Sequence, residues 1–270
     1  MNMEKQRVVL LKPGMDDCIK KKDVTYKVID DLKLKLDVYY PKDYNDTSLL
    51  PAVVFVHGEA PWEVLHNAKD WGQYKDWGKL MAASGMIGIT FTRRSSEGFT
   101  CLEQASADIV DLFTYVVEHS KELGVNTDRL GLWVCSAGGP ACLPKVLRNS
   151  RIQVRSVVAL YTLMNLEHIK ELHEFLDSTT RAAFSPLSVL EDKPSDDLPP
   201  MMIVRAGLDR PVFNNSIDDF VNKALKENIN VVVINYPSGN HGFDVRDDNN
   251  TSRMIIERVL EFCREHLSLN

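Results

Sequence analysis

Residues 130–139 read Leu130-Gly-Leu-Trp-Val-Cys-Ser-Ala-Gly-Gly139. An apolar strand-like run ends in a cluster of small residues, and the stretch through Leu147 then has the texture of a short helix. A strand, tight turn and helix with small residues at the turn can hold a nucleophile on strained backbone and project it from a sheet edge. Two nucleophile types stand there, Cys135 and Ser136. Strand and helix cross closely at such a turn, so the residues two before and two after the nucleophile must be small. For Cys135 these are Trp133 and Ala137; for Ser136 they are Val134 and Gly138. An indole is far too large for the crossing. Ser136 is therefore the expected nucleophile, and Cys135 a small buried hydrophobe beneath it. Val134 departs from the glycine usual at its position and predicts a wider crossing or a shifted turn.

Outward from this stretch the chain alternates strand and helix textures. Val24–Ile29 and Lys33–Tyr39 alternate apolar and polar residues around Asp30-Asp31, as an antiparallel pair with one wet face would. Continuous apolar runs follow at Pro51–Val56, Met86–Phe91, Leu130–Val134, Val154–Tyr161, Pro200–Arg205 and Val231–Ile234, as strands buried on both faces require. Helical periodicity lies between several of them, at Ala105–Leu123, Ile217–Leu225 and Ile255–Phe262. The expected fold class is α/β, a mostly parallel sheet with helices on both faces and an N-terminal antiparallel strand pair. Residues 1–22, ending in Lys20-Lys21-Lys22, are expected to form a solvated arm, and residues 23–270 a single domain. Within that domain, residues 162–199 interrupt the rhythm with a helical stretch, Leu166–Leu176, and a Pro/Asp/Ser-rich tail. An insertion of that length reads as a lid or cap, or else as a packed surface excursion.

Leu130–Gly139 resembles the nucleophile elbow of the α/β-hydrolase superfamily, in the Ser-Ala-Gly-Gly form of its esterases and lipases, and also resembles the dienelactone-hydrolase-like branch. The resemblance implies an acid and then a histidine after the serine, each just past a strand end. The run Met201–Arg205 leads into Ala206-Gly207-Leu208-Asp209, which resembles the acid loop, and Asn240-His241-Gly242-Phe243 resembles the histidine loop. Asp209 and His241 are thus the implied partners of Ser136; Asp218 and Asp219 are rivals, but sit inside a helical pattern. The oxyanion donors would be the backbone N–H of Ala137 and that of Glu59 or Gly58, in a His57-Gly58 loop resembling the family's His-Gly motif. Glu59-Ala60 departs from the Gly-Gly that follows in many lipases, and His57 is read as a structural loop residue.

Trp62, Trp71, Tyr74 and Trp77 cluster after this loop, a spacing that suits helix packing, with the lining of an acyl or alcohol pocket as the alternative. Trp62, Arg93 and Arg94 are the candidate substrate contacts, the two arginines as partners for a substrate carboxylate. His168 and His173 with Glu167 and Glu171 are spaced wrongly for one helical face, and no metal site is expected.

Bulk properties narrow the rest. Lys plus Arg is 32 against 38 for Asp plus Glu, a formal charge of −6, which disfavours nucleic acid and anionic membrane as partners. Five cysteines without a CxxC pair argue against a disulfide framework or structural zinc. Neither a signal-length apolar segment nor a membrane-length run occurs, so a cytoplasmic location is expected. The function these residues point to is hydrolysis of carboxylic esters of small molecules by a Ser-His-Asp acyl-enzyme route. No cofactor is expected, and the only macromolecular partner considered is a second copy of the chain, as a homodimer. A peptidase or acyl-transferase on the same triad, and a non-catalytic ligand-binding relative, remain the alternatives.

Overall fold

The computed structural model describes residues 5–45 and 47–268. Among these, eight strands form one sheet: β1 (Ile19–Ile29), β2 (Leu32–Tyr40), β3 (Leu50–Val56), β4 (Ile87–Phe91), β5 (Val125–Cys135), β6 (Val154–Leu160), β7 (Met201–Ala206) and β8 (Val231–Tyr236). Their spatial order is β1-β2-β4-β3-β5-β6-β7-β8. β1 runs antiparallel to β2 and β2 to β4, and every further pairing is parallel. The α-helices are α1 (Trp62–Leu65), α2 (Gly72–Ala83), α3 (Leu102–Glu118), α4 (Gly138–Arg148), α5 (Ser178–Phe184), α6 (Val189–Asp192), α7 (Pro211–Lys226), α8 (Phe243–Arg246) and α9 (Asn250–Leu267).

The continuous apolar runs have a simple cause. Side chains alternate across a strand, so a strand covered on both sides needs apolar residues at every position. In β3, Ala52, Val54 and Val56 enter one apolar cluster with α3, α4 and α7, whereas Val53 and Phe55 enter a second cluster with α2 and α9. β5 divides in the same way, Leu132 and Val134 to the first cluster, Trp133 and Cys135 to the second. Helix α3 presents Ala105, Ile109, Leu112, Phe113 and Val116 to the first cluster at i+3/i+4 spacing, and the Ser106 hydroxyl donates to the Ala141 carbonyl, tying α3 to α4 (2.6 Å). Among the described residues no helix is long and apolar enough to cross a membrane.

Two expectations are corrected. The solvated arm of residues 1–22 is neither solvated throughout nor bounded at 22; Met1–Glu4 lie outside the described residues. Val8, Leu10 and Met15 are buried in the second cluster, the Val9 amide donates to the Asp244 carbonyl (2.8 Å), the Asp76 carboxylate accepts from Arg7 Nε and the Val8 amide, and β1 begins at Ile19. The charged Lys20-Lys21-Lys22 run is the exposed start of that edge strand. The stretch Leu166–Leu176 is not one helix but two 3₁₀ turns, Leu166–His168 and Lys170–Glu174, and the polar tail contains α6. Residues 162–199 are tied to the body. The Ser216 hydroxyl accepts from the Met164 amide (3.1 Å), and Arg148 of α4 bonds Ser188 Oγ (2.8 Å) and Asp192, while Leu166, Leu172, Phe184 and Val189 are buried in the first cluster.

Candidate active site

β5 ends at Cys135 and α4 begins at Gly138, leaving Ser136 and Ala137 as the whole turn. Ser136 has φ +53°, a left-handed conformation that costs a side-chain-bearing residue about 1–3 kcal/mol and persists only where the surroundings enforce it. Here the Ser136 amide donates to the Leu160 carbonyl (3.2 Å) and its carbonyl accepts from the Leu163 amide (2.9 Å), so the neighbouring strand end grips both sides of the residue. Two glycines are compulsory. A Cβ built on Gly138 would stand 2.5 Å from the His57 carbonyl oxygen, and one on Gly139 would stand 2.5 Å from that of Leu163.

Val134 is accommodated at the crossing by the glycine opposite it. Its side chain is fully buried, and its Cγ2 would lie 3.2 Å from a Cβ on Gly138, so one missing side chain in the helix makes room for the one present in the strand. Cys135 faces the opposite cluster. Burial pushes its thiol up to about 12, the Tyr74 hydroxyl lies 3.5 Å from its sulfur, and it is no thiolate at neutral pH.

The expected partners converge. The Ser136 hydroxyl lies 2.8 Å from His241 Nε2, and His241 Nδ1 lies 2.5 Å from Asp209 Oδ2, a geometry that assigns the ring proton to Nδ1. Asp209 follows β7 and His241 follows β8, and the two loops are laced together. Gly207 donates to Tyr236 (2.8 Å) and Leu208 to Gly239 (2.9 Å) through their backbones. The second oxygen of Asp209 accepts from the Arg210 amide (2.7 Å). Tyr161 and Phe213 flank the imidazole with ring centroids 4.7 and 4.8 Å away. Asp247 accepts from the Asn240 amide and side chain (2.8 Å each), fixing the loop just before the histidine. The rival acids are engaged elsewhere: Asp218 with Arg205, Asp219 with Asn165 and His168.

The two amides expected to face an oxyanion are uncommitted: among the described residues neither Ala137 nor Glu59 donates its N–H to a protein acceptor. The Gly58 amide instead faces the Tyr74 hydroxyl at 3.4 Å. Gly58 packs against the nucleophile, since a Cβ there would lie 3.4 Å from Ser136 Oγ. His57 is structural. It is buried, its Nδ1–H donates to the Gly58 carbonyl (2.9 Å), and burial and the Arg93 charge push its imidazole down to about 3.

The three proposed substrate contacts are not where the sequence suggested. Arg93 is completely buried, with Glu59 Oε2 (3.1 Å) and the carbonyls of Gly58 (3.0 Å) and Arg94 (2.8 Å) as acceptors. Arg94 turns the other way and binds both oxygens of Asp108 (2.8 Å each). Trp62 packs on the first cluster. Its neighbours matter instead. Trp71, Tyr74, Gln73 and Tyr161 line a cavity of about 270 Å³ beside Ser136 and His241. A second cavity of about 590 Å³ is lined by Ala137, Leu163, Ile169, Lys170, Arg210 and Phe213. Glu59 borders both.

Behind His241 sits a buried network that the sequence reading missed. Asp244 accepts from Tyr161 Oη (2.7 Å), Gln73 Nε2 (2.9 Å) and Trp77 Nε1 (2.8 Å). Gln73 also donates to the Tyr161 hydroxyl (3.0 Å). Burial, together with the Asp244 charge, holds the Tyr161 hydroxyl well above its usual range, so it stays a donor. An acid three residues past the candidate histidine was the available signal.

The sheet order and the elbow define an α/β-hydrolase fold, and the chain is a member of the α/β-hydrolase superfamily. Within it the chain belongs to the BD-FAE family, which matches residues 36–204. Among solved structures the chain is similar to Thermogutta terrifontis esterase 2 phosphoramylated by tabun, at 22% identity over 96% of this chain and 100% of that one, with a TM-score of 0.72. The propionate-bound form of that esterase gives 23% identity, the same coverage and a TM-score of 0.73. A truncated carbohydrate esterase from gut microbiota gives 17% identity over 93% and 97% of the two chains, with a TM-score of 0.74. At these identities the likeness is one of fold. No curated protein matches the chain.

Proposed function

We propose that this chain is a serine esterase that hydrolyses carboxylic esters of small molecules through an acyl-enzyme on Ser136. The observation that carries the reading is the hydrogen-bonded line from Ser136 through His241 to Asp209, mounted on a left-handed turn beside two uncommitted amides. His241 Nε2 takes the hydroxyl proton as Ser136 Oγ attacks the ester carbonyl. Asp209 fixes the tautomer and stabilises the imidazolium. The amides of Ala137 and Glu59 receive the negative charge that develops on the carbonyl oxygen. The tetrahedral intermediate collapses as His241 returns the proton to the leaving alcohol, and water activated by the same imidazole releases the acid.

The cavity of about 270 Å³, closed by Trp71, Tyr74 and Tyr161, suits a short acyl group, and the cavity of about 590 Å³ takes the alcohol. Residues 168–171 form part of the larger cavity's lining, and in this reading residues 162–199 serve as its cap. The esterase structures above, one with propionate and one a carbohydrate esterase, support the same direction. The five cysteines are all unpaired, which suits a reducing, cytoplasmic setting.

The test is labelling with a fluorophosphonate, with the modified peptide mapped by mass spectrometry, beside hydrolysis of 4-nitrophenyl acetate, butyrate and octanoate. The expected result is a label on Ser136, none on Ser136→Ala, and turnover that falls with acyl length. A folded wild type that is unlabelled and hydrolyses none of these esters refutes the proposal.

A further inference from the structure

Glu59 occupies a position where the superfamily resemblance implies glycine, one residue past the Gly58 that packs against the nucleophile, yet its side chain is nearly buried. Its Oε1 accepts from Ser95 Oγ (2.6 Å) and the Ser96 amide (2.9 Å), and its Oε2 from Arg93 Nη2 (3.1 Å). The same Arg93 nitrogen donates to the Gly58 carbonyl (3.0 Å). We infer that Glu59 and Arg93 form a positioning pair that aims the Glu59 amide at the substrate's developing oxyanion. The inference rests on the esterase reading above.

Across a trans peptide the C=O and the following N–H point in opposite directions. Arg93 is completely enclosed by protein, so pinning the Gly58 carbonyl to it turns that carbonyl inward. The Glu59 N–H, on the far side of the same peptide plane, must then face outward, toward the cleft that Glu59 borders. Residues 57–61 have no strand or helix pairing to hold this orientation. The His57 Nδ1–H holds the same Gly58 carbonyl, and the Glu59 side chain adds to this by tying the next link of the loop to the segment after β4 at three points. Charge is handled as well. A bare carboxylate bordering the cleft would repel an oxyanion, but this one is paired with the Arg93 guanidinium and accepts from Ser95 and Ser96. The pair touches no reacting atom. It acts through the amide.

The test compares Glu59→Ala, Glu59→Gln and wild type by kcat and KM on 4-nitrophenyl acetate, and by inhibition with a trifluoromethyl ketone, whose serine adduct carries an oxyanion. Removing one oxyanion donor outright costs about 10²–10³-fold. Loosening one should lower kcat of Glu59→Ala by about 10–100-fold, leave KM within about threefold, and weaken the ketone by the same factor as kcat/KM. Glu59→Gln keeps an acceptor for Ser95 and Ser96 and should lose less. A general structural lesion would not make ketone affinity follow kcat/KM. A folded Glu59→Ala with unchanged kcat or unchanged ketone affinity overturns the inference. If that variant does not fold, Glu59→Gln decides: a kcat within twofold of wild type overturns it. An inactive wild type unlabelled at Ser136 overturns the esterase reading itself, and so differs from an active wild type indifferent to Glu59.

Discussion

Replacing Asp209 by Asn changes one atom and should abolish most of the activity, for a reason that lies in the loop after β7. Asp209 Oδ1 accepts from the Arg210 amide at 2.7 Å and Oδ2 from His241 at 2.5 Å, and its side chain is almost fully enclosed. An asparagine has one acceptor and one donor to place at these two sites. Arg210 N–H is fixed by the start of α7 and can only donate, so the side-chain oxygen must go there. The –NH₂ group then faces His241 Nδ1 and makes that nitrogen an acceptor. The ring proton moves to Nε2, which can no longer take the proton of Ser136. The opposite placement sets two donors against each other, at a cost of about 1–3 kcal/mol for an unsatisfied buried group. In Ser-His-Asp enzymes the wrong tautomer costs about 10⁴ in kcat, or about 5.4 kcal/mol of barrier. We therefore expect Asp209→Asn to lower kcat on 4-nitrophenyl acetate by about 10⁴-fold, with KM little changed and the thermal midpoint within a few degrees of wild type. The rate of fluorophosphonate labelling should fall in parallel. A folded Asp209→Asn that keeps more than a tenth of wild-type kcat refutes the tautomer argument and the assignment of Asp209 with it.

Three other expectations follow from the same geometry. Val134→Gly restores the usual elbow glycine but removes a fully buried side chain and places glycine in a strand, so it should destabilise by about 3 kcal/mol in denaturant titration; an unchanged midpoint would mean that Val134 is poorly packed. Ser136→Gly should abolish turnover while raising stability by about 1 kcal/mol through relief of the φ +53° conformation, and a loss of stability would contradict the strain described. For Asp108, burial alone would raise the carboxyl, but the bonds from Arg94 and Lys27 outweigh it and the folded value lies below the usual one. Its contribution to stability is thus complete above the unfolded carboxylate pKa of about 3.9 and is lost as pH falls through the lower folded value. Denaturant midpoints between pH 6 and 2 should show an acid-side decline that is shallower in Asp108→Asn, and identical slopes would dismiss the linkage.

The parts of the molecule that could be read in advance are those governed by short-range rules. The apolar runs from Pro51 to Ile234 found their strands because burial on both faces leaves no polar position free. Ser136 was separable from Cys135 because Trp133 excludes the latter on volume alone. What escaped depends on distant pairings. Arg93 and Arg94 look alike at a strand end, but one turns to Glu59 and the other to Asp108, a choice made by partners more than ten residues away. Trp62 lost its expected role to Trp71 and Tyr74 because the turn entering α2 rotates these last two toward the cleft. The short apolar stretch at Val8–Leu11 gave no periodic signal, and only the surface it covers shows why Val8 and Leu10 are buried while Leu11 is exposed.

That covering segment also bears on when activity appears during folding. Val9 is bonded to Asp244, whose carboxylate in turn holds Trp77 and the cavity-lining Tyr161 and Gln73. Contacts so distant along the chain close slowly, because the intervening loop entropy must be overcome first. The hairpin β1–β2 and the βα units of the sheet can form from neighbours, but this wall needs both extremes of the fold already in place. In a refolding experiment, helical circular dichroism should therefore recover before ester hydrolysis does, and the lag between the two signals would time the arrival of residues 5–15.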